Sequence, residues 1–159
     1  MADSPHIAII ARAVCMYAEH VLVCQHVPQG GYFVLPGGHV EFGEPACVAV
    51  RREFVEEVGF EPAVGSCVAG FEQIFEHPKG LRHELTLVFH VEHPPHWKRR
   101  WPGGPPPLVS PEEPKVRLVW IPMAEIETVD LRPARMRTWL ARRVTGSGGG
   151  DPARIDWLT

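Results

Sequence analysis

Residues 38–60, GHVEFGEPACVAVRREFVEEVGF, carry two overlapping helical patterns. Pro45 suits the first turn of a helix, where its missing N–H has no bond to lose, and Gly59 suits a left-handed stop. Between them Cys47, Val50, Phe54 and Val58 recur every three or four residues and predict a buried stripe. Glu53, Glu56 and Glu57 stand at i, i+3 and i+4 and project from another face, with Ala46 and Ala49 beside them keeping that face open. Three adjacent carboxylates repel one another, so the cluster adds nothing to helix stability. In isolation such a triplet reads as a solvated acidic face. Its chemical reading is a hard divalent cation: oxygen-only ligands suit magnesium or manganese, and magnesium keeps water and shares phosphate oxygens with a substrate.

Upstream, residues 6–16 (HIAIIARAVCM) and 20–25 (HVLVCQ) are β-rich runs separated by Tyr17-Ala18-Glu19, which predicts a hairpin. Gly30-Gly31 breaks the chain before a short strand at 32–35, and Pro36-Gly37-Gly38 breaks it again. Downstream, residues 64–76 read as one or two strands and HPKG at 77–80 as a turn. In residues 82–92, Leu85, Leu87, Phe89 and Val91 alternate with polar or mixed residues, the pattern of a half-buried strand. Residues 116–121 restore a strand, and 133–144 predict a helix with Met136, Trp139, Leu140 and Val144 on its apolar side. TGSGGG at 145–150 reads as a flexible linker before a tail whose Ile155, Trp157 and Leu158 are free to dock. Strands mixed with two helices imply a layered α/β domain.

The 159 residues suit one domain with one core, and a hydrophobic fraction of 45% with 22% charged residues is ordinary for a globular chain. A net charge of −3 gives no general attraction to nucleic acid or to an anionic membrane, so any polyphosphate must be held locally, by metal or by placed cations. Cys15, Cys24, Cys47 and Cys67 form no C-x-x-C pair and lie in apolar or periodic segments, which predicts four buried thiols in a reducing compartment. There is no basic-then-apolar leader and no apolar run of membrane-spanning length. The expectation is a cytoplasmic protein without a membrane partner.

With its flanks included, the acidic segment resembles the signature of the Nudix hydrolases, the MutT-like family. Every defined position is met: Gly38, Glu44 after five residues, Arg52-Glu53 after seven more, apolar Phe54, Glu56-Glu57, Gly59 and apolar Phe60. Pro36-Gly37-Gly38, Glu41 and the late Trp120-Ile121-Pro122 before a helix also look like the family, so the resemblance spans roughly residues 6–144 and leaves 145–159 as linker and tail. It implies an α/β/α sandwich around a mixed β-sheet, with the signature as a loop–helix–loop. It implies that Glu53 and Glu57 ligate Mg2+ (or Mn2+) directly, that Glu56 ligates or bridges through water, and that the backbone carbonyl of Gly38 completes the set. Arg52 and Glu44 would be supports, since an arginine can clamp a carboxylate with two bonds.

The reaction so implied is hydrolysis of a diphosphate bond, a phosphorus acid anhydride, in a small nucleotide-type substrate: a nucleoside di- or triphosphate or a nucleotide sugar. Gly37, Gly38 and His39 are its expected binding positions. For the general base the resemblance offers a signature glutamate or a later loop. Glu113 is preferred because E-x6-W-[IV]-P is similar to the stretch before the family's last strand, with Glu112 and Glu84 as alternatives. A charged, proline-flanked loop is the plain reading of Glu112-Glu113. The contrasting function is a catalytically retired domain that binds a nucleotide as a sensor; retirement normally shows as lost signature carboxylates, and none is missing. Dimers are common in the family, so a homodimer stays open.

Other features point less far. His90, His93 and His96 recur every three residues, but Pro94 and Pro95 exclude the helix that would converge them. His39 and His83 are either phosphate contacts or exposed decoration. WKRRW at 97–101 mixes cations and aromatics, which suits either base stacking or a disordered basic loop. It lies in a proline-rich excursion, residues 93–115, whose 97–107 section is expected to be mobile. Relatives acting on ADP-ribose often carry a proline some fifteen residues beyond the signature, and those acting on dinucleoside polyphosphates a tyrosine. Ile74-Phe75-Glu76-His77 has neither. The coenzyme A and NADH motifs are not found.

Overall fold

The computed structural model describes residues 6–29, 31–144 and 156–158. β1 (Ile7–Tyr17) and β2 (His20–His26) form the expected hairpin, turned by Ala18 and Glu19 at φ of 47° and 60°. They pair only near the turn, Met16 with Val21 and Tyr17 with His20. Beyond that they part, and each takes a short new partner. β4 (Gly37–His39) lies along β1 from Ile10 to Arg12, and β3 (Phe33–Val34) lies along β2 at Cys24 and Gln25. The fork between them holds residues 35–38. Ala13 donates its N–H to the Pro36 carbonyl and Val40 to the Ile9 carbonyl, both at 2.8 Å.

β1 also runs parallel to β6 (Gly80–Glu92), which pairs antiparallel with β5 (Ala63–His77). β7 (Val116–Pro122) lies against β2, and β8 (Asp156–Leu158) runs parallel to β5 at residues 69–71. The result is one mixed sheet in the order β3-β2-β1-β6-β5-β8, with β4 on β1 and β7 on β2. α1 (Ala46–Val58) covers one face, packing Ala49, Val50, Phe54 and Val58 against Ala11, Ala13, Cys15, Leu22 and Phe89. A 3-10 segment (Met123–Thr128) and α3 (Ala134–Val144) cover the other, where Met136, Trp139 and Leu140 meet Val14, Val23, Phe71 and Val88. Alternate residues of β1 therefore feed two cores, because successive strand side chains point to opposite faces. Each large side chain so buried contributes roughly 1.5–3 kcal/mol. This is the expected α/β/α sandwich.

Several expectations change in detail. Pro45 is the N-cap of α1 rather than a member of its first turn, and its carbonyl accepts from Val48 and Ala49 at 2.9 and 3.0 Å. Gly59 is the left-handed stop, at φ 90°. The buried stripe is Ala49, Val50, Phe54, Glu57 and Val58. Cys47, in the first turn, packs against none of the core and is exposed, and Ala49 is buried rather than holding a face open. Four buried thiols therefore reduce to two: Cys15 and Cys24 are buried, Cys67 is half-buried, and all four are free. Burial pushes the Cys15 thiol up to about 12. β6 is covered on both faces rather than one, because it lies between β1 and β5 under helices on either side; Val88 joins one core and Phe89 the other.

The proline-rich excursion is packed, against the expected mobility of 97–107. It contains a short helix, α2 (Trp97–Arg100), and Trp97 is 5% exposed, with its ring against Tyr17, Phe60, His93 and Trp120. Tyr17 Oη donates to the Trp101 carbonyl and Trp120 Nε1 to the Pro106 carbonyl, each at 2.9 Å. Aromatic anchors hold what composition alone reads as a free basic loop. The predicted linker at 145–150 lies outside the described residues, as do the side chains of Val144, Ile155, Trp157 and Leu158. Among the described residues no helix is long and apolar enough to cross a membrane.

Candidate active site

Glu57 joins α1 to the fork in the sheet. Its side chain is 6% exposed, and its Oε2 accepts the Gly37 N–H at 2.8 Å. The Cys24 thiol donates to the same oxygen at 3.6 Å, and His26 Nε2 lies 3.3 Å from Oε1. A buried carboxylate is tolerated only with such partners. Burial first, and then the charge of Glu57, pushes the Cys24 thiol well above its ordinary value, so it stays protonated as a donor.

Glu53 stands one turn back with its carboxyl group against Gly38. A Cβ on Gly38 would lie within 2.7 Å of all three carboxyl atoms, so the approach requires glycine. Burial raises the pKa of Glu53, the Arg52 hydrogen bond opposes the rise, and the charges of Glu57 and Glu56 add to it. That mutual repulsion is what a bound cation relieves.

Arg52 organises the acids around it. Nε and Nη2 donate to Glu44 Oε1 and Oε2, both at 3.0 Å, while Nη1 donates to Glu53 Oε1 at 2.9 Å. Nη2 also reaches the His39 carbonyl at 3.1 Å, and Nη1 lies 3.7 Å from Glu56 Oε1. The Arg52 bond holds the Glu44 carboxyl below the usual glutamate range, helped by the Glu41 N–H at 3.1 Å.

Gly37, Gly38, Glu44, Arg52, Glu53 and Glu57 are thus gathered at one place. Glu56 stays at the rim, with its side chain 49% exposed. His39 is exposed and contributes its backbone carbonyl to Arg52. Glu112 and Glu113 lie exposed in the turn after Ser110. Pro111 of that turn rests on Gly59, where an added Cβ would come 3.1 Å from Pro111 Cγ, so the turn sits over the Glu57 end of α1. The charge of Glu112 is felt at Cys24. Glu84 is elsewhere on the sheet, accepting from Gln73 at 2.8 Å, and neighbouring His83 pairs with Glu72 at 2.9 Å. Among the described residues no three His, Cys, Asp or Glu side chains converge as a finished metal cage. A cation that keeps water and substrate oxygens suits such an open set.

Three neighbours of this site were not picked out from the sequence. Cys24 and His26 have the same parity on β2 and both reach Glu57. Arg12 donates from Nη1 to the carbonyls of Leu35 (3.0 Å) and Gly37. The available signal was a lone charge inside the apolar run IAIIARAVCM.

A family model described as the NUDIX domain matches residues 8–142. The chain belongs to the Nudix family. This Nudix chain is 42% identical over 62 residues to an ADP-ribose pyrophosphatase of Methanocaldococcus jannaschii, a match spanning 39% of this chain and 36% of that relative. Among solved structures it is similar to the E. coli ORF135 protein, with a TM-score of 0.63 and 25% identity over 93% of this chain and 95% of that one. It is also similar to a MutT protein from Methanosarcina mazei, with a TM-score of 0.65 and 20% identity over 89% and 96% of the two chains. The Nudix loop–helix–loop corresponds here to β4, α1 and the turns that flank them.

Proposed function

We propose that this Nudix protein hydrolyses a diphosphate bond in a nucleotide-type substrate (a nucleoside di- or triphosphate or a nucleotide sugar), using Mg2+ or Mn2+. The observation that carries the reading is Glu57: a carboxylate buried to 6% exposure, anchored on Gly37 and followed one turn back by Glu53 against Gly38. Glu53 and Glu57 would ligate the cation, Glu56 would ligate it or act through water, and the Gly38 carbonyl would complete an all-oxygen set. A divalent ion held there supplies charge neutralisation for the diphosphate and a lowered pKa for an attacking water.

The chain's own residues do the rest. Arg52, locked by Glu44, aims Glu53. Gly37 and Gly38 keep the backbone low against β1, which leaves the face above them, with His39 at its edge, for phosphate. The proton acceptor comes from the turn over Glu57: Glu113 by its spacing before Trp120, Glu112 by its charge reaching Cys24. Products would be a nucleoside monophosphate and a second phosphorylated fragment, or pyrophosphate from a triphosphate.

The substrate panel should include ADP-ribose because the archaeal relative is an ADP-ribose pyrophosphatase, although Ile74-Phe75-Glu76-His77 lacks the proline common in such enzymes. Turnover of one member with magnesium or manganese, abolished in Glu57→Gln, is the expected result. Tight nucleotide binding with no turnover anywhere in the panel would replace this reading with a nucleotide sensor.

A further inference from the structure

One cation at the site stands outside the Arg52 network. Arg12 faces Gly37 across β1 and β4, and Nη1 donates to two backbone carbonyls, those of Leu35 and Gly37. Carbonyls orient a guanidinium without cancelling its charge. No described carboxylate pairs with Arg12, whereas Arg52 is shared among Glu44, Glu53 and Glu56. A guanidinium has five N–H donors, and Nη1 accounts for two of them. Among the described residues Nε and Nη2 take no acceptor.

The position is also close to the carboxylates. The Gly37 carbonyl is bonded to Arg12 while its N–H is bonded to Glu57, so the two side chains grip opposite ends of one residue. A Cβ on Gly37 would strike the Ala11 carbonyl and Arg12 Cα, so glycine is what permits this approach. The positive charge of Arg12 is felt at Cys24, whose thiol is 3.6 Å from Glu57. A diphosphate entering beside four glutamates brings further negative charge. A cation that is not neutralised, and is already held in place, meets that need with little ordering cost.

We propose that Arg12 binds the diphosphate of the substrate, presenting Nε and Nη2 to a phosphate oxygen from its anchorage on the Leu35 and Gly37 carbonyls. The inference rests on the diphosphate-hydrolase reading. It is tested by calorimetric titration of inorganic pyrophosphate, with manganese, into wild type, Arg12→Met and Arg12→Lys, beside steady-state kinetics. In Arg12→Met, pyrophosphate binding is expected to weaken about tenfold or more, since charge-assisted bonds are lost, with KM rising by a like factor and kcat nearly kept; Tm falls as well, because the Leu35 and Gly37 carbonyls lose their donor. Arg12→Lys should recover part of the affinity, because lysine keeps the charge but not the fork. Wild-type affinity in both variants would overturn the proposal. So would a loss confined to kcat and Tm, which would make Arg12 a brace for the loop. Wild type that binds pyrophosphate through Arg12 but turns over no nucleotide would sink the hydrolase reading and leave this one standing.

Discussion

Arg52 meets Glu44 fork to fork, Nε on Oε1 and Nη2 on Oε2, both at 3.0 Å. Glu44 thereby sets the plane of the guanidinium, and the remaining nitrogen, 2.9 Å from Glu53, sets that carboxylate's aim. Lysine cannot reproduce the geometry. Arg52→Lys is expected to lower kcat by about ten- to a hundredfold while shifting Tm little, because partly exposed ion pairs contribute only about 0–1 kcal/mol. Steady-state kinetics beside a thermal melt checks both. A fallen Tm with intact kcat would reduce Arg52 to a staple between loop and helix.

The two adjacent glycines separate folding from chemistry. At Gly37 an added Cβ meets backbone atoms of Ala11 and Arg12, and φ is 136°, so Gly37→Ala should cost more than about 2 kcal/mol of stability. At Gly38 the three atoms nearest the Cβ are the movable carboxylate end of Glu53. Gly38→Ala should therefore fold nearly as wild type yet lose activity by about a hundredfold or more, as a misplaced group near the chemistry can do. Equal effects of the two on urea midpoint would refute the distinction.

Loop catalysis is decided by a pair of variants. If the turn supplies the base, Glu112→Gln or Glu113→Gln should lower kcat by about two to four powers of ten with KM held. The spacing before Trp120 favours the second. Near wild-type turnover in both would assign the proton to a glutamate of α1.

Glu53 yields a pH prediction for metal-free protein. Its folded pKa is raised, first by burial, so ionisation disfavours the native state as pH climbs through that raised value. Below the ordinary glutamate pKa of about 4.3 the penalty is absent. Glu53→Gln should thus melt above wild type in chelator at neutral pH, and the difference should vanish near pH 4. Magnesium should reverse the order. A gap that is the same at both pH values would remove charge as its cause.

Trp97 tests the packed excursion. With its ring 5% exposed among four aromatic neighbours, Trp97→Ala should cost roughly 3–5 kcal/mol. Alanine at the exposed Lys98, Arg99 or Arg100 should stay within about 0.5 kcal/mol. Chemical denaturation ranks them. A stable Trp97→Ala that lost substrate affinity would restore the base-stacking reading of WKRRW.

Much of the candidate site was legible because the proposed chemistry demands local spacing. Glu53, Glu56, Glu57, Arg52 and Glu44 fall within one helix and its leading loop, so i, i+3 and i+4 relations already place them. Cys47 shows the limit of periodicity: the spacing is right, but Cys47 is exposed while Ala46 and Ala49 of the same turn pack against the core. Arg12, Cys24 and His26 stayed hidden because they reach the site through the parting of β1 and β2, a long-range event that a strand's alternation does not encode. Trp97 was misread for the same reason, since proline and arginine content says nothing about ring partners, three of which (Tyr17, Phe60 and Trp120) come from outside the excursion.

The bond from Gly37 to Glu57 also constrains how this protein could lose its activity over evolutionary time. A buried amide hydrogen must find an acceptor, and here the acceptor is a carboxylate that the proposed reaction also uses. Replacing Glu57 by alanine or lysine would orphan that amide and loosen helix from sheet. Glutamine keeps an oxygen in reach while removing the charge. A descendant that keeps this architecture but abandons turnover is therefore expected to drift to glutamine at position 57 first, and to lose Gly38 and Glu53 only afterwards.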